Sequence, residues 1–318
     1  MNSRKLHGSI STLHAVIGML LLLIIGFASG HYTYPMMTPL STEFEEDIAW
    51  RTDSISISGS TTVLPIIEAC AIAFMNNYPE TSITVTGGGS GRGYSEVIDG
   101  VVDIGMASRL PKKIEIDAAK AKGVALWLYP IALDAVCVVV HPSVNETLSL
   151  TLQEVGKIFA GIYTRWSEVK SGLPDEPIYV VVREPGSGTR GTFEDYVMEP
   201  YSYTVTDAAH VQPSNPAVRT TIENTPYSIG YIGFGFITQK MVVVALAKSE
   251  GEPYIYPSIE SIGSFKYPIS RYLYLVTAVR PESGSLTDRF IDFVLSSEGQ
   301  AIVEGKGFLK LPEYPLSG

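Results

Sequence analysis

The chain has 318 residues, 45% of them hydrophobic and 18% charged, enough for one large domain or two lobes with separate cores. Its formal net charge of −10 argues against a nucleic-acid partner, which requires a basic face. It does not exclude a buried anion pocket, where local dipoles outweigh net charge.

Arg4, Lys5 and His7 precede an apolar run over residues 15–28 (AVIGMLLLLIIGFA), followed by Ser29 and Gly30. A basic start, an apolar stretch and a small-residue exit fit a secretory signal peptide over residues 1–30. Extended back to Ile10, the run approaches the ~20 residues of a membrane helix, so an uncleaved anchor fits as well. Either reading puts the body outside the cytoplasm, secreted or tethered. No cysteine directly follows the run, so a bacterial lipid anchor is excluded. Residues 31–50 lack a clear period and read as a spacer.

From Asp53 strands alternate with helices. ISISG (55–59) predicts a strand, and Val63, Ile66, Ile67, Cys70 and Phe74 recur at helical spacing over 61–77. Strands are expected at 82–88 and 101–108, with a short helix at 91–100 between them. AVCVVVH (135–141) and YVVVR (179–183) read as strands, while 151–159, 166–169 and 189–198 read as helices. YSIGYIGFGF (227–236), MVVVALA (241–247) and YPISRYLYLVTAV (267–279) are strand-like. The chain closes with helices at 286–295 and near 299–304. This alternation implies an α/β fold with a mostly parallel sheet. Cys70 and Cys137 lie in separate apolar stretches and read as buried free thiols, with one disulfide left open. Asn145-Glu146-Thr147 matches a glycosylation sequon.

Three segments share one grammar of strand, small hydroxyl and glycine residues, then helix. They are Gly59-Ser60-Thr61-Thr62, Gly87-Gly88-Gly89-Ser90-Gly91, and Arg183-Glu184-Pro185-Gly186-Ser187-Gly188-Thr189-Arg190. A helix N-terminus leaves backbone N–H groups without partners and carries a partial positive charge, so each corner is an anion seat. One such corner is usually only a cap. Three of them in an open α/β sheet gather at the carboxyl edge of the strands, where ligands bind.

Rival motifs fail on spacing. Neither glycine loop supplies the GK[ST] of a Walker P-loop, and Gly89-Ser90-Gly91-Arg92-Gly93 lacks the GxGxxG interval. Arg92 occupies the last glycine position of a hydrolase elbow centred on Ser90. His141 and His210 neighbour no nucleophile motif, and no Cys/His cluster has metal-ligand spacing. The residues therefore predict a binding protein without catalytic base, metal or cofactor.

The segments ISGSTTVLPIIEA, TGGGSGRGYSEV, VDIGMASR, IFAGIYTRWSEV, REPGSGTRGTFE, NTPYSIGYIGFGF, YPISRYLYL and FVLSSEGQAIVEGKGFL hold their order over residues 56–312. In these the chain resembles the phosphate-binding proteins of ABC phosphate uptake systems, the PstS type. The resemblance implies a two-lobe periplasmic-binding-protein fold (type II) with two hinge crossings, PIALDAVCVVVH and YPISRYLYLVT. Lobe I would be 51–132 and 272–313, and lobe II 133–271. Inorganic phosphate would be held by Ser60, Thr61, Thr62, Ser90, Arg183, Ser187, Gly188 and Thr189. A monomer would deliver it to an ABC permease in the membrane. One position departs from the family: where well-known members carry an aspartate that accepts the phosphate proton, this chain has Ser108-Arg109. Ser108, or a carboxylate such as Asp103 or Asp134, is expected to accept that proton, with Arg109 adding a second positive charge. The departure leaves tungstate, molybdate or sulfate open as the ligand, and a sensor or adhesin on the same fold remains an alternative.

Overall fold

The computed structural model of the protein describes residues 53–312. The expected leader (1–30) and spacer (31–50) lie outside the described residues. The order begins β1 (Ser54–Gly59), α1 (Leu64–Asn77), β2 (Ser82–Gly87), α2 (Ser90–Ile98), β3 (Ile104–Ala107) and α3 (Lys113–Ala121), leading into the 14-residue β4 (Trp127–Val140). Next come β5 (Ser149–Thr151), α4 (Leu152–Phe159), α5 (Trp166–Val169), β6 (Tyr179–Arg183) and α6 (Gly188–Phe193). A π-helical turn over Glu194–Met198 precedes β7 (His210–Gln212), α7 (Asn215–Asn224) and β8 (Ser228–Gly233). The short β9 (Val242–Val243), β10 (Ala245–Ala247) and α8 (Ile259–Gly263) follow. The chain returns through β11 (Ser270–Thr277), α9 (Leu286–Leu295) and α10 (Ser297–Gly305).

The strands form a sheet in the order β2-β1-β3-β11-β4-β8-β6-β7, with β9 also on β4. The expected parallel pairing holds in both wings, where β1 runs parallel to β2 and β3, and β6 to β7 and β8. The centre is antiparallel, with β11 pairing that way to β3 and β4 and β4 to β8, so the sheet is mixed where a mostly parallel one was expected. β4 changes partner along its length. Trp127–Ala135 lies on β11, while Val136–Val140 lies on β8. One strand thus serves both halves of the sheet. Pro130, which cannot donate to a ladder, sits beside the register shift at Leu273/Tyr274.

Local sequence explains the elements. α1 starts with proline in its first turn and buries Ile66, Ile67, Cys70 and Phe74; Phe74 meets Phe290 of α9 edge to face at 5.7 Å. Thr151 and Glu154 form a capping box at the start of α4. Ser214 caps α7, and Ser285 caps α9. The predicted helix over 189–198 divides into α6 and the π turn. The predicted strand over 241–247 divides into β9 and β10, since Val244 pairs back to Val138 while Ala245–Ala247 pairs with β5. α3, α7, α8, β5 and β7 were not anticipated.

Cys70 and Cys137 are free and buried. Burial pushes the Cys70 thiol up to about 12, and Cys137 is raised by its own burial and then by the Asp134 carboxylate. Since the thiolate is the nucleophile, a thiol reagent at pH 8 should label neither cysteine in the native protein. Both should react after denaturation in guanidinium, and rapid native labelling would show that these sites open.

Candidate functional site

The three glycine- and hydroxyl-rich corners converge on one buried cluster, joined by a fourth at the end of β3. Ser60 and Thr62 lie between β1 and α1, Ser90 opens α2, Ser108 follows β3, and Ser187 and Thr189 flank the start of α6; all six are buried. Ser60 Oγ donates to Ser108 Oγ at 3.0 Å, and Ser90 and Ser108 hydroxyls stand 3.3 Å apart. Ser108 N–H donates to Ser90 Oγ at 3.0 Å. The hydroxyls of Thr62 and Thr189 meet at 2.9 Å, linking one half of the sheet to the other.

Glycine is required where backbone approaches closely. A Cβ on Gly188 would come within 2.1 Å of Ser90 Oγ and 2.3 Å of Ser108 Oγ. At Gly89 the backbone takes φ +88, and a Cβ would strike the Gly186 carbonyl oxygen at 2.8 Å. Gly91 N–H donates to that carbonyl at 3.0 Å.

Arg183, 1% exposed, reaches into the cleft from the end of β6. Its Nη2 donates to Thr61 Oγ1 at 3.0 Å across the two halves. Nε and Nη2 also donate to Glu184 Oε2 and Oε1 at 2.9 and 2.8 Å. Tyr231 accepts from Arg183 N–H at 3.1 Å; burial raises this phenol well above its usual range, and its ring stacks on Phe193 at 4.1 Å. The Nη1 of Arg183 is buried without a hydrogen-bond partner. An unpaired buried donor costs about 1–3 kcal/mol, so this nitrogen fits an oxyanion oxygen.

A second guanidinium at the cluster belongs to Arg271, which sequence reading missed. It stands opposite Asp134 in the β11–β4 register, and its Nε and Nη2 both donate to Asp134 Oδ2, at 2.9 and 2.7 Å. Its remaining donors reach Ser108 O at 3.1 Å and Thr189 Oγ1 at 3.2 Å. Asp134 Oδ1 accepts from Phe234 N–H at 2.9 Å, which engages both carboxylate oxygens. Asn215, also missed, donates to Thr62 Oγ1 at 2.8 Å. The signal for Arg271 was strand alternation: Ile269, Arg271, Leu273 and Leu275 share the inward phase, and all are buried.

Arg109 is placed differently from the expectation. Its guanidinium pairs with Glu115 through two 2.7 Å bonds and lies over the Tyr94 ring at 5.3 Å, so it has no bond to the hydroxyl cluster. The second positive charge there is Arg271. Asp103 accepts from Ser56 N and Oγ at 2.7 and 2.9 Å, outside the cluster. Among the described residues no group of three or more His, Cys, Asp or Glu could hold a metal ion. His141 bonds Ser143 at 2.8 Å, and His210 stacks on Tyr179. No described helix is long and apolar enough to cross a membrane.

Removing one member of a buried ion pair strands the other charge and costs about 3–5 kcal/mol. Asp134→Ala should therefore lower the thermal unfolding midpoint by about 10 °C by circular dichroism. Asp134→Leu combined with Arg271→Met should recover much of that loss, and an unchanged midpoint in the single variant would remove the pair from the account of stability.

Comparison with known proteins places this geometry in a family. The model of the PBP superfamily domain matches residues 48–298. The chain is 32% identical over 264 residues to the phosphate-binding protein PstS of Borreliella burgdorferi, covering 80% of this chain and 89% of that one. It is 30% identical over 266 residues to protein SphX of Synechococcus elongatus, covering 81% and 77%. A Clostridium perfringens crystal structure with bound phosphate superimposes with a TM-score of 0.70 at 32% identity, covering 81% of this chain and all of that one. An ABC-type phosphate transport receptor from Vibrio cholerae gives a TM-score of 0.65 at 28% identity, covering 81% and 100%. With its strand-to-helix corners gathered on one cleft, the chain belongs to the PBP superfamily and, within it, to the PstS family of phosphate-binding proteins.

Proposed function

We propose that the protein captures inorganic phosphate in the cluster of Ser60, Thr61, Thr62, Ser90, Ser108, Arg183, Ser187, Gly188 and Thr189, with Arg271 beside them, and hands it to an ABC permease. The observation that carries this is the buried Arg183 Nη1 without a partner, set among hydroxyls from both halves of the sheet. In a poorly hydrated cleft, hydrogen bonds from a guanidinium to an anion are shorter and stronger than neutral ones.

Capture works by closure of two lobes, residues 51–132 with 272–313 against 133–271. β4 and β11 are the crossings, and the change of partner within β4, between Ala135 and Val136, supports a hinge there. The first-lobe donors Ser60–Thr62 and Ser90 receive the anion. Rotation then brings Arg183 and the Ser187–Thr189 turn onto it. The protein acts outside the cytoplasm as a binding component and performs no chemistry on its ligand.

Of the carboxylates expected to accept the phosphate proton, Asp134 already takes Arg271 on one oxygen and Phe234 N–H on the other, and Asp103 bonds Ser56 instead. Ser108 Oγ takes that role, and a hydroxyl can donate as well as accept. Discrimination against sulfate is therefore weaker than a carboxylate would give, which keeps a broader oxyanion specificity as the second reading.

Five heavy atoms at a ceiling of about −1.5 kcal/mol each give about −7.5 kcal/mol, near a micromolar Kd. Calorimetric titration should return one phosphate site at or below that value, with sulfate bound more weakly. Equal affinity for the two anions would replace phosphate capture with general oxyanion carriage. Arg183→Met should weaken phosphate at least ~100-fold, the scale of a lost charge-assisted contact, and Gly188→Ala should do the same by placing its Cβ between Ser90 and Ser108.

A further inference from the structure

Next to the hydroxyl cluster, against the Gly186–Ser187 turn, lies a cavity of about 230 Å³. Gly91, Arg109, Lys112 and Glu115 line it from one half of the sheet, and Gly186, Ser187, Arg190, Gly191 and Glu194 from the other. Three cations face two carboxylates in the lining, and Asp195, next to Glu194, lies within electrostatic reach of Lys112 and Arg109, so the local charge is close to balanced. Arg109 pairs with Glu115 and Arg190 with Glu194, each at 2.7 Å. Lys112 is 3.9 Å from Glu194 and 44% exposed along its side chain, so its charge is the least committed.

Arg109 supplies an independent observation. Its side chain is 6% exposed, and its Nε is buried without a partner. Glu115, the Leu110 carbonyl and the Tyr94 ring fix the guanidinium in place. The Arg109 side chain packs against Gly191, where a Cβ would stand 2.8 Å from Arg109 Cδ, 3.2 Å from Nε and 3.4 Å from Lys112 Cε, and all three residues line the cavity. A held donor with no acceptor, next to a loosely paired ammonium, wants an anionic oxygen. At about 30 Å³ per water, the cavity has room for a small tetrahedral oxyanion and part of its hydration shell.

We propose that this cavity is a second, weaker oxyanion subsite, held by Arg109 Nε and Lys112 Nζ, that receives the anion just outside the hydroxyl cluster. Glu115 and Glu194 keep its affinity low, which suits a station the ligand must leave. Its role as an antechamber rests on the reading of the adjoining cluster as the phosphate site; the subsite itself does not.

The test follows the Arg109 Nε–H resonance in ¹⁵N-labelled full-length protein titrated with inorganic phosphate. After the first equivalent fills the tight site, further phosphate in the millimolar range should shift this resonance with a separate midpoint, and sulfate should do likewise. Lys112→Ala should raise that second midpoint several-fold and lower the association rate at low ionic strength, while the tight Kd moves less than about twofold. A resonance that stays still up to tens of millimolar phosphate overturns the subsite while leaving the tight site intact. A protein with no tight step overturns the reading of the cluster instead, and the millimolar shift can still be read in it. A second midpoint unaffected by Lys112→Ala reduces the finding to an adventitious ion only.

Discussion

Asp134 and Arg271 face each other on the antiparallel strands β4 and β11 at the centre of the sheet, and the hydroxyl cluster is tied to their contact. Burying two charges is expensive unless the pair is well oriented and its spare hydrogen bonds are filled. Both conditions hold here. The guanidinium places two donors on one carboxylate oxygen, while Phe234 N–H takes the other. The donors left over reach Ser108 O before α3 and Thr189 Oγ1 in α6. One side chain thereby ties the centre of the sheet to residues on both sides of the hydroxyl cluster.

Charge within the cleft is close to balanced, since Glu184 accompanies Arg183 and Asp134 accompanies Arg271. An anion there would be stabilised less by net charge than by oriented dipoles. α1 and α2 point their N-termini at the cluster, and the hydroxyls of Ser60, Ser90 and Ser108 can turn to donate or accept. This explains how a chain of net charge −10 can carry an anion site: the field that matters is local.

Much of this was legible before the fold was known. The hydroxyl and glycine residues after β1, β2 and β6 announced themselves, because helix starts with no room for a Cβ need specific residue types. Free cysteines and the alternation of strands and helices were legible for similar reasons. Arg271 was not singled out, although its inward phase beside Ile269 and Leu273 marked it, because a charged residue in a strand is ordinarily read as facing solvent. Arg109, read as adding charge to the cluster, is instead paired with Glu115. Its neighbour Ser108 does join the cluster, but adjacent residues at the end of a strand point to opposite faces, and Glu115 from α3, a helix the periodicity did not disclose, captured the guanidinium. α7 was missed for a comparable reason. Its NPAVRTTIEN sequence buries only Asn215, Val218 and Ile222, too sparse an apolar stripe to show against the polar residues around it.

The place of β11 has a consequence for biosynthesis. This strand, made near the end of translation, is inserted between β3 and β4, and the Asp134–Arg271 bond spans 137 positions in the chain. Until residue 277 leaves the ribosome, both neighbouring edges stay unpaired and the first wing has no stable partner. Closing so wide a loop is slow. The sheet is therefore completed late, after every other strand in it has been made.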